Sequence, residues 1–138
     1  MINYRVIVYH KQATSARTRF AKFADDTVFA FGPVAKLSQL EESSLDNTVV
    51  HPAAVMKKTE ALLGLEEGSL KAEPDYQHKV EVPGGSIHVL LANVTTMDPP
   101  FEAIEKVGGR FIDLTQARGL PQVELELLRH AYELVLGG

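Results

Sequence analysis

Alternating apolar and polar residues open the chain and recur in its second half. Residues 3–9 (NYRVIVY) combine this alternation with β-branched and aromatic side chains, which is typical of a strand. Residues 77–82 and 86–94 predict two more strands, and the Pro-Gly-Gly between them favours a hairpin. Residues 109–114 (GRFIDL) predict a further strand near the end of the chain.

Shorter and more polar segments lie between these strands. Residues 20–31 place phenylalanines on both sides of an Asp-Asp pair, which indicates two short strands around a turn. Residues 11–19 predict a polar surface loop, and residues 66–76 predict an acidic loop. Residues 38–47 (SQLEESSLDN) predict a polar connection with a short helical turn, and residues 97–106 (MDPPFEAIEK) begin with a double-proline break.

Two segments have helical periodicity. Residues 53–63 predict a helix that Gly64 can cap, because glycine tolerates the left-handed conformation found at helix ends. Residues 121–136 predict a clearer helix, with a proline in the first turn. One apolar face of this helix contains Leu120, Leu127, Ala131 and Leu134. The order strands, helix, strands, helix predicts an α+β domain whose mixed or antiparallel sheet packs between helices.

Length and composition narrow the class of protein. The 138 residues and 45% hydrophobic content fit one globular domain over residues 1–138. The formal net charge of -4 argues against nucleic acid and anionic lipid as partners. The absence of cysteine excludes disulfides, thiolate metal sites and cysteine nucleophiles. With no signal peptide or membrane-spanning run in the sequence, we expect a soluble, cytoplasmic protein.

Common catalytic motifs are missing from the sequence. There is no phosphate-binding loop and no nucleophile elbow, and the histidines show no metal-ligand spacing. His78 and His88 flank the predicted hairpin and could face each other, forming a metal site with Glu81. Cross-strand polar packing is the alternative for this pair. His130 lies beside Arg129 and near two acids, Glu126 and Glu133, so the sequence predicts a surface ion-pair cluster there rather than a catalytic base.

Residues 51–65 read HPAAVMKKTEALLGL, a predicted helix followed by glycine and an aliphatic residue. In helix length and ending, this segment resembles the box of the Nudix hydrolases, G-x5-E-x7-R-E-U-x-E-E-x-G-U, where U is aliphatic. Residues 86–95 and 99–137 are similar to the strand after the box and to the family's closing run. The resemblance covers residues 50–138 and extends loosely to residues 1–49. It implies an α/β/α sandwich and magnesium-dependent hydrolysis of nucleoside diphosphate derivatives.

The acidic positions of the box depart from the family pattern. The glycine of the box aligns with Ser43, and its first glutamate aligns with Val49. The arginine aligns with Lys57, and the last three glutamates align with Lys58, Ala61 and Leu62. The last three lie on one helical face by their spacing. Magnesium requires oxygen ligands, so this face cannot hold it in the family's way. Within the helix, Glu60 is the only acid, at a variable position of the box.

Three functions remain open from the sequence. The favoured one is a non-catalytic ligand-binding or interaction module without a metal cofactor. Its cations form a candidate site for a phosphorylated small molecule if the loop at residues 13–19 folds over the helix: Arg17, Arg19, Lys57 and Lys58. The alternative is a Nudix-type hydrolase that holds magnesium on displaced carboxylates, chosen from Glu60, Glu66, Glu67, Glu102 and Glu105. The third is a structural domain, and in all three a homodimer is compatible with exposed sheet edges.

Overall fold

The computed structural model describes residues 3–15, 17–35, 38–40 and 51–137. Within these ranges the chain forms eight strands, three α-helices and one 3₁₀ turn. In chain order they are β1 (Tyr4–Lys11), β2 (Thr18–Lys22), β3 (Phe29–Ala30), β4 (Gln39–Leu40), α1 (Pro52–Leu63), β5 (Leu70–Ala72), β6 (His78–Val82), β7 (Gly85–Val94), α2 (Phe101–Lys106), β8 (Arg110–Ile112), the 3₁₀ turn (Leu114–Gln116) and α3 (Gln122–Gly137).

The strands form one open mixed sheet in the order β4-β6-β7-β1-β2-β8, with β3 also on β1 and β5 also on β7. The central strands β1 and β7 run parallel, in a register from Tyr4 opposite His88 to Tyr9 opposite Asn93. The other named pairs are antiparallel. This arrangement confirms the predicted α+β class and selects the mixed sheet from the two predicted alternatives.

The central strand β1 is buried on both of its faces. Val6 and Val8 point into one layer of core, whereas Ile7 and Tyr9 point into the other. Successive side chains of a strand point to opposite faces, so an apolar run such as this one suits a strand covered on both sides. The hydrophobic core therefore has two layers, separated by the sheet.

Helices cover both layers. On the α3 face of the sheet, Leu127, Leu128 and Ala131 of α3 are fully buried against Ile7 and its neighbours. On the α1 face, the covering side chains come from α1 and α2, among them Met56, Leu63 and Ile104. The prediction that the sheet packs between helices is confirmed. No helix in the described ranges is long and apolar enough to span a membrane.

Several local predictions are confirmed. The hairpin of β6 and β7 closes with Val82 opposite Gly85. Gly64 ends α1 with φ +69°, the left-handed conformation expected of a glycine cap. The Asp25-Asp26 turn joins segments that both pair with β1, and both aspartates have positive φ. Aspartate is among the few residue types that adopt this conformation readily, which explains an Asp pair at this turn.

Other local predictions were wrong because tertiary contacts override weak local patterns. The predicted acidic loop at residues 66–76 contains β5. The predicted double-proline break is present, and helix α2 begins directly after it. The predicted polar loop at residues 11–19 is shorter, since its two ends belong to β1 and β2. Gln39–Leu40 is a short strand on β6 rather than part of a polar connection. Residues 41–47 of that predicted connection lie outside the described ranges.

Candidate functional site

Helix α1 turns toward solvent the three positions at which the sequence resemblance predicts metal-binding glutamates in the Nudix box. Pro52 starts the helix, and Val55, Met56, Thr59 and Leu63 are among its buried side chains. The replaced glutamate positions, Lys58, Ala61 and Leu62, are all exposed. Leu62 keeps 46% of its surface accessible, so it does not fill a cleft. This face of α1 carries an ammonium group and apolar surface in place of carboxylates.

Glu60, the one acid of α1, points inward and is only 4% exposed. Its Oε2 accepts hydrogen bonds from the backbone amides of Gly68 and Leu70, both at 2.9 Å. The backbone carbonyl of Glu60 accepts a further bond from the Leu65 amide at 2.8 Å. A buried carboxylate is stable when backbone donors replace its lost water. Glu60 therefore holds the loop after α1 and the start of β5 against the helix.

A groove of about 550 Å³ lies between the first half of α1 and strand β5. Its helix wall includes Pro52, Ala53 and Met56, and its strand wall includes Leu70, Ala72 and Pro74. Three charged residues also line it: Lys57, Glu67 and Lys71. The volume is in the usual range for ligand sites, which are concave and mostly apolar with a few polar groups. We take this α1–β5 groove as the candidate functional site.

The predicted cationic site divides into two sets of contacts. Arg17 forms a fork with the Asp113 carboxylate, at 3.2 and 3.1 Å. The guanidinium of Arg19 donates to Gln12 at 2.9 Å and lies 5.7 Å from the centre of the Phe101 ring.

The two lysines of the predicted site belong to α1 and the groove. Lys57 lies 3.9 Å from a Glu67 oxygen, and both side chains are largely exposed. Lys58 is exposed on the outer face of α1. Across the described residues, no recorded contact links either lysine to the arginines. A phosphate site built from all four cations stays a prediction.

The carboxylates proposed as displaced metal ligands have different environments. Glu66 and Glu67 are exposed in the loop after α1, and Glu102 and Glu105 are exposed on α2. Glu60 is already bonded to two amides. In the part of the chain that the structure describes, no three His, Asp or Glu side chains form a group able to hold a metal ion. The displaced-ligand hypothesis stays a prediction.

The predicted facing of His78 and His88 was wrong. His78 stands opposite Val89 in the hairpin, so the adjacent His88 projects from the other face of the sheet. The partner of His78 is His130, whose ring stacks on it with centroids 4.8 Å apart and planes at 30°. Burial and the neighbouring charge of His130 lower the pKa of His78. His130 takes part in this stack and in none of the described ion pairs, contrary to the predicted cluster.

Sequence reasoning missed a second buried carboxylate, Glu124. It lies in the first turn of α3 and is fully buried. Its oxygens accept from the Thr27 hydroxyl at 2.9 Å and from the Val28 amide at 2.8 Å. Burial raises the pKa of Glu124, although these hydrogen bonds oppose the rise. No local signal distinguishes it from the other glutamates of the same helix, because its partners lie far away in the sequence.

Comparison of the sequence with known protein families and with curated proteins finds no match.

Proposed function

We propose that this chain is a non-catalytic binding module with a Nudix-like fold, and that it binds its partner in the α1–β5 groove. The observation that carries the proposal is the state of α1. Its only acid is bonded to the backbone of the next loop, and its outer face presents Lys58, Ala61 and Leu62. The helix that would hold magnesium in a Nudix hydrolase thus works as one wall of a groove.

The chemistry of α1 supports binding rather than metal-dependent hydrolysis. Magnesium is held by carboxylates, usually together with substrate phosphates. A metal ion beside Lys58 would meet a positive charge, and Ala61 and Leu62 supply no oxygen. Oε2 of Glu60 accepts both the Gly68 and the Leu70 amides, so this carboxylate has at most Oε1 to offer a metal ion. The apolar walls of the groove instead favour a ligand with apolar surface.

The test is hydrolysis of nucleoside diphosphate derivatives by the purified protein with Mg²⁺ or Mn²⁺. We expect no metal-dependent turnover and no heat of metal binding in calorimetry. The matched variant Lys58→Glu/Ala61→Glu/Leu62→Glu restores three acids at exposed positions, so it should fold and gain measurable metal binding. Turnover by the wild-type protein would overturn the proposal in favour of displaced carboxylates.

A phosphorylated small molecule is a second candidate ligand, since Lys57 and Lys71 stand at the groove. A ligand that binds only the native state raises the melting temperature. Inorganic phosphate or a nucleotide without metal should raise it in the wild type and not in Lys57→Ala/Lys71→Ala if this candidate is right. A cytoplasmic location belongs to the same proposal and is supported by the absence of cysteine.

A further inference from the structure

Strand β5 pairs with β7 along one edge, and its other edge, here called the outer edge, faces Glu60. The Ser69 carbonyl accepts a hydrogen bond from the Thr95 amide at 2.8 Å, so the backbone of Ser69 is directed toward β7. The next amide, Leu70, points the other way and donates to Glu60. Backbone groups alternate sides along a paired strand, so the N–H and C=O of Ala72 also point away from β7.

Among the residues that the structure describes, none pairs with the outward backbone groups of Ala72, which lie beside apolar walls. Within the described ranges β5 pairs with β7 alone, and Leu70 and Ala72 both line the groove. The Leu70 amide is already bonded to Glu60, which leaves its carbonyl and both backbone groups of Ala72 on the open edge. An exposed strand edge is a template for another strand. Partner proteins use such edges by adding an extended peptide, with side chains packed in flanking pockets.

The charges around the groove select the kind of peptide. Of its two acids, Glu60 is buried and accepts two backbone amides, and Glu67 lies near Lys57. Lys71 is exposed and takes part in no ion pair of the described structure. An acidic side chain opposite Lys71 would complement this cation, and apolar side chains would contact the walls.

Resting on the proposed function, we propose that the α1–β5 groove binds an extended peptide segment of a partner protein, which pairs with the outer edge of β5 at Ala72. The segment carries apolar residues toward Met56 and Pro74 and an acidic residue opposite Lys71. The pairing ends at Leu70, because the Leu70 amide already donates to Glu60 and cannot donate to the peptide. Helix α1 forms the second wall, so the peptide lies between a strand and a helix.

The test uses a phage-displayed library of random ten-residue peptides selected on the wild-type protein. We expect enriched peptides with apolar residues at alternating positions and an acidic residue, and no predicted helix. The enriched peptide should slow hydrogen exchange of the Ala72 amide on binding. Its affinity for each variant is measured by the fluorescence of a fluorescein-labelled copy. Ala72→Pro removes that amide at an outward-facing edge position, where proline is tolerated. It should weaken binding about three- to tenfold, as for one lost backbone hydrogen bond.

Charge reversal provides the matched comparison. Lys71→Glu should weaken binding about threefold or more, and exchanging the peptide's acid for lysine should restore it. Lys106→Glu, an equal reversal on exposed α2, should leave binding unchanged. No enrichment, no protection of Ala72, or equal losses in both lysine variants would overturn the inference.

Other occupants give distinct results. Self-association of the wild type that Ala72→Pro abolishes would identify a second copy of this chain as the occupant and overturn the peptide inference. Displacement of the peptide by phosphate alone would do the same in favour of a small anion. Metal-dependent turnover overturns the proposed function itself, whereas failed peptide binding without turnover overturns only this inference.

Discussion

Two helices are attached to the same sheet by the same device, a buried glutamate that accepts two hydrogen bonds. Glu124 of α3 binds the Thr27 hydroxyl and the Val28 amide, whereas Glu60 of α1 binds the Gly68 and Leu70 amides. Glu124 holds a turn that is distant in sequence, and Glu60 holds the loop that directly follows its own helix. The first fixes tertiary structure, and the second shapes the wall of a groove.

The difference shows how environment decides what a glutamate does. In the sequence, Glu60 was a candidate metal ligand and Glu124 was one of several acids in an amphipathic helix. In the structure both glutamates anchor a helix, whereas the carboxylates of the exposed acids described on α2 and in the loop after α1 accept no backbone amides. A carboxylate oxygen that accepts two backbone amides, as Oε2 of Glu60 does, is a poor metal ligand, because coordination at that oxygen must replace a hydrogen bond.

The largest effect is expected from Glu124→Ala. The change leaves the Val28 amide and the Thr27 hydroxyl buried without their acceptor, so the free energy of unfolding should fall by about 3 kcal/mol. Urea denaturation at pH 7 measures it. Glu124→Gln keeps an acceptor and removes the buried charge, so it should be much closer to wild type. An equal loss in both variants would show that the charge itself, rather than the acceptor, is required.

The Glu124→Gln variant also tests the pH dependence. The pKa of Glu124 is raised in the folded protein above its ordinary value of 4.5, so the folded state holds this proton more tightly than the unfolded state. Its contribution to stability is therefore lost as pH rises from about 4.5 through the folded pKa. The glutamine variant should lose this part of the pH profile, as measured by denaturation between pH 4 and pH 7.

Glu60→Ala should have the next largest effect. It leaves the buried Leu70 amide unpaired and frees the Gly68 amide, so we expect a loss of about 2 kcal/mol in the free energy of unfolding. The control is Glu105→Ala on the exposed side of α2, which should change stability by less than about 0.5 kcal/mol. If Glu60→Ala matched this control, the anchoring role of Glu60 would be wrong.

Gly64→Ala tests the glycine cap of α1 separately from the Glu60 anchor. The added methyl group meets open space, so the cost is only the left-handed backbone conformation at φ +69°. We expect a loss of about 1 kcal/mol, measured by the same denaturation. Because Gly64 precedes the loop that Glu60 holds, the double variant with Glu60→Ala tests coupling between the two. Strict additivity would mean that cap and carboxylate act independently.

The smallest effect is expected at the His78–His130 stack, where α3 meets β6. The pKa of His78 is lowered below its ordinary value of 6.5, so the unfolded state binds this proton more tightly. Stability should fall as pH decreases from about 6.5 through the folded pKa.

His130→Phe keeps a ring at this position and removes one charge, so the acid sensitivity should decrease. The charged residues one turn away on α3, Glu126 and Glu133, stay unchanged in this comparison. His51→Phe, at an exposed position before α1, is the control. The measurement is the melting temperature of each variant at pH 7.5 and at pH 5.5. If the decrease between the two pH values is the same in His130→Phe as in the wild type, the role of the stack is refuted.

The sequence predicts the elements whose stability is largely local. Residues 53–63 have a proline start and a glycine end, and residues 78–94 contain a two-strand pattern with a turn between them. The short strand β5 and the six-residue α2 carry too few residues for a periodic signal. They form because β7 and the sheet beneath them supply partners, which a local pattern cannot show.

The candidate site was only partly predictable. The helix with its replaced glutamates could be identified from the sequence, and so could the presence of Lys57 and Glu60 on it. The groove could not, because its second wall is β5, a strand that the acidic composition of residues 66–76 concealed. The inward direction of Glu60 depends on two amides in that same segment.

The parallel pairing of β1 with β7 also sets the order in which the protein can be assembled during synthesis. The hairpin of β1 and β2 can form early, because its residues are neighbours in the chain. The centre of the sheet cannot form until Asn93, the partner of Tyr9, has left the ribosome. Until then one side of the buried central strand β1 lacks the strand that pairs with it in the folded protein, which slows folding and exposes the nascent chain to aggregation.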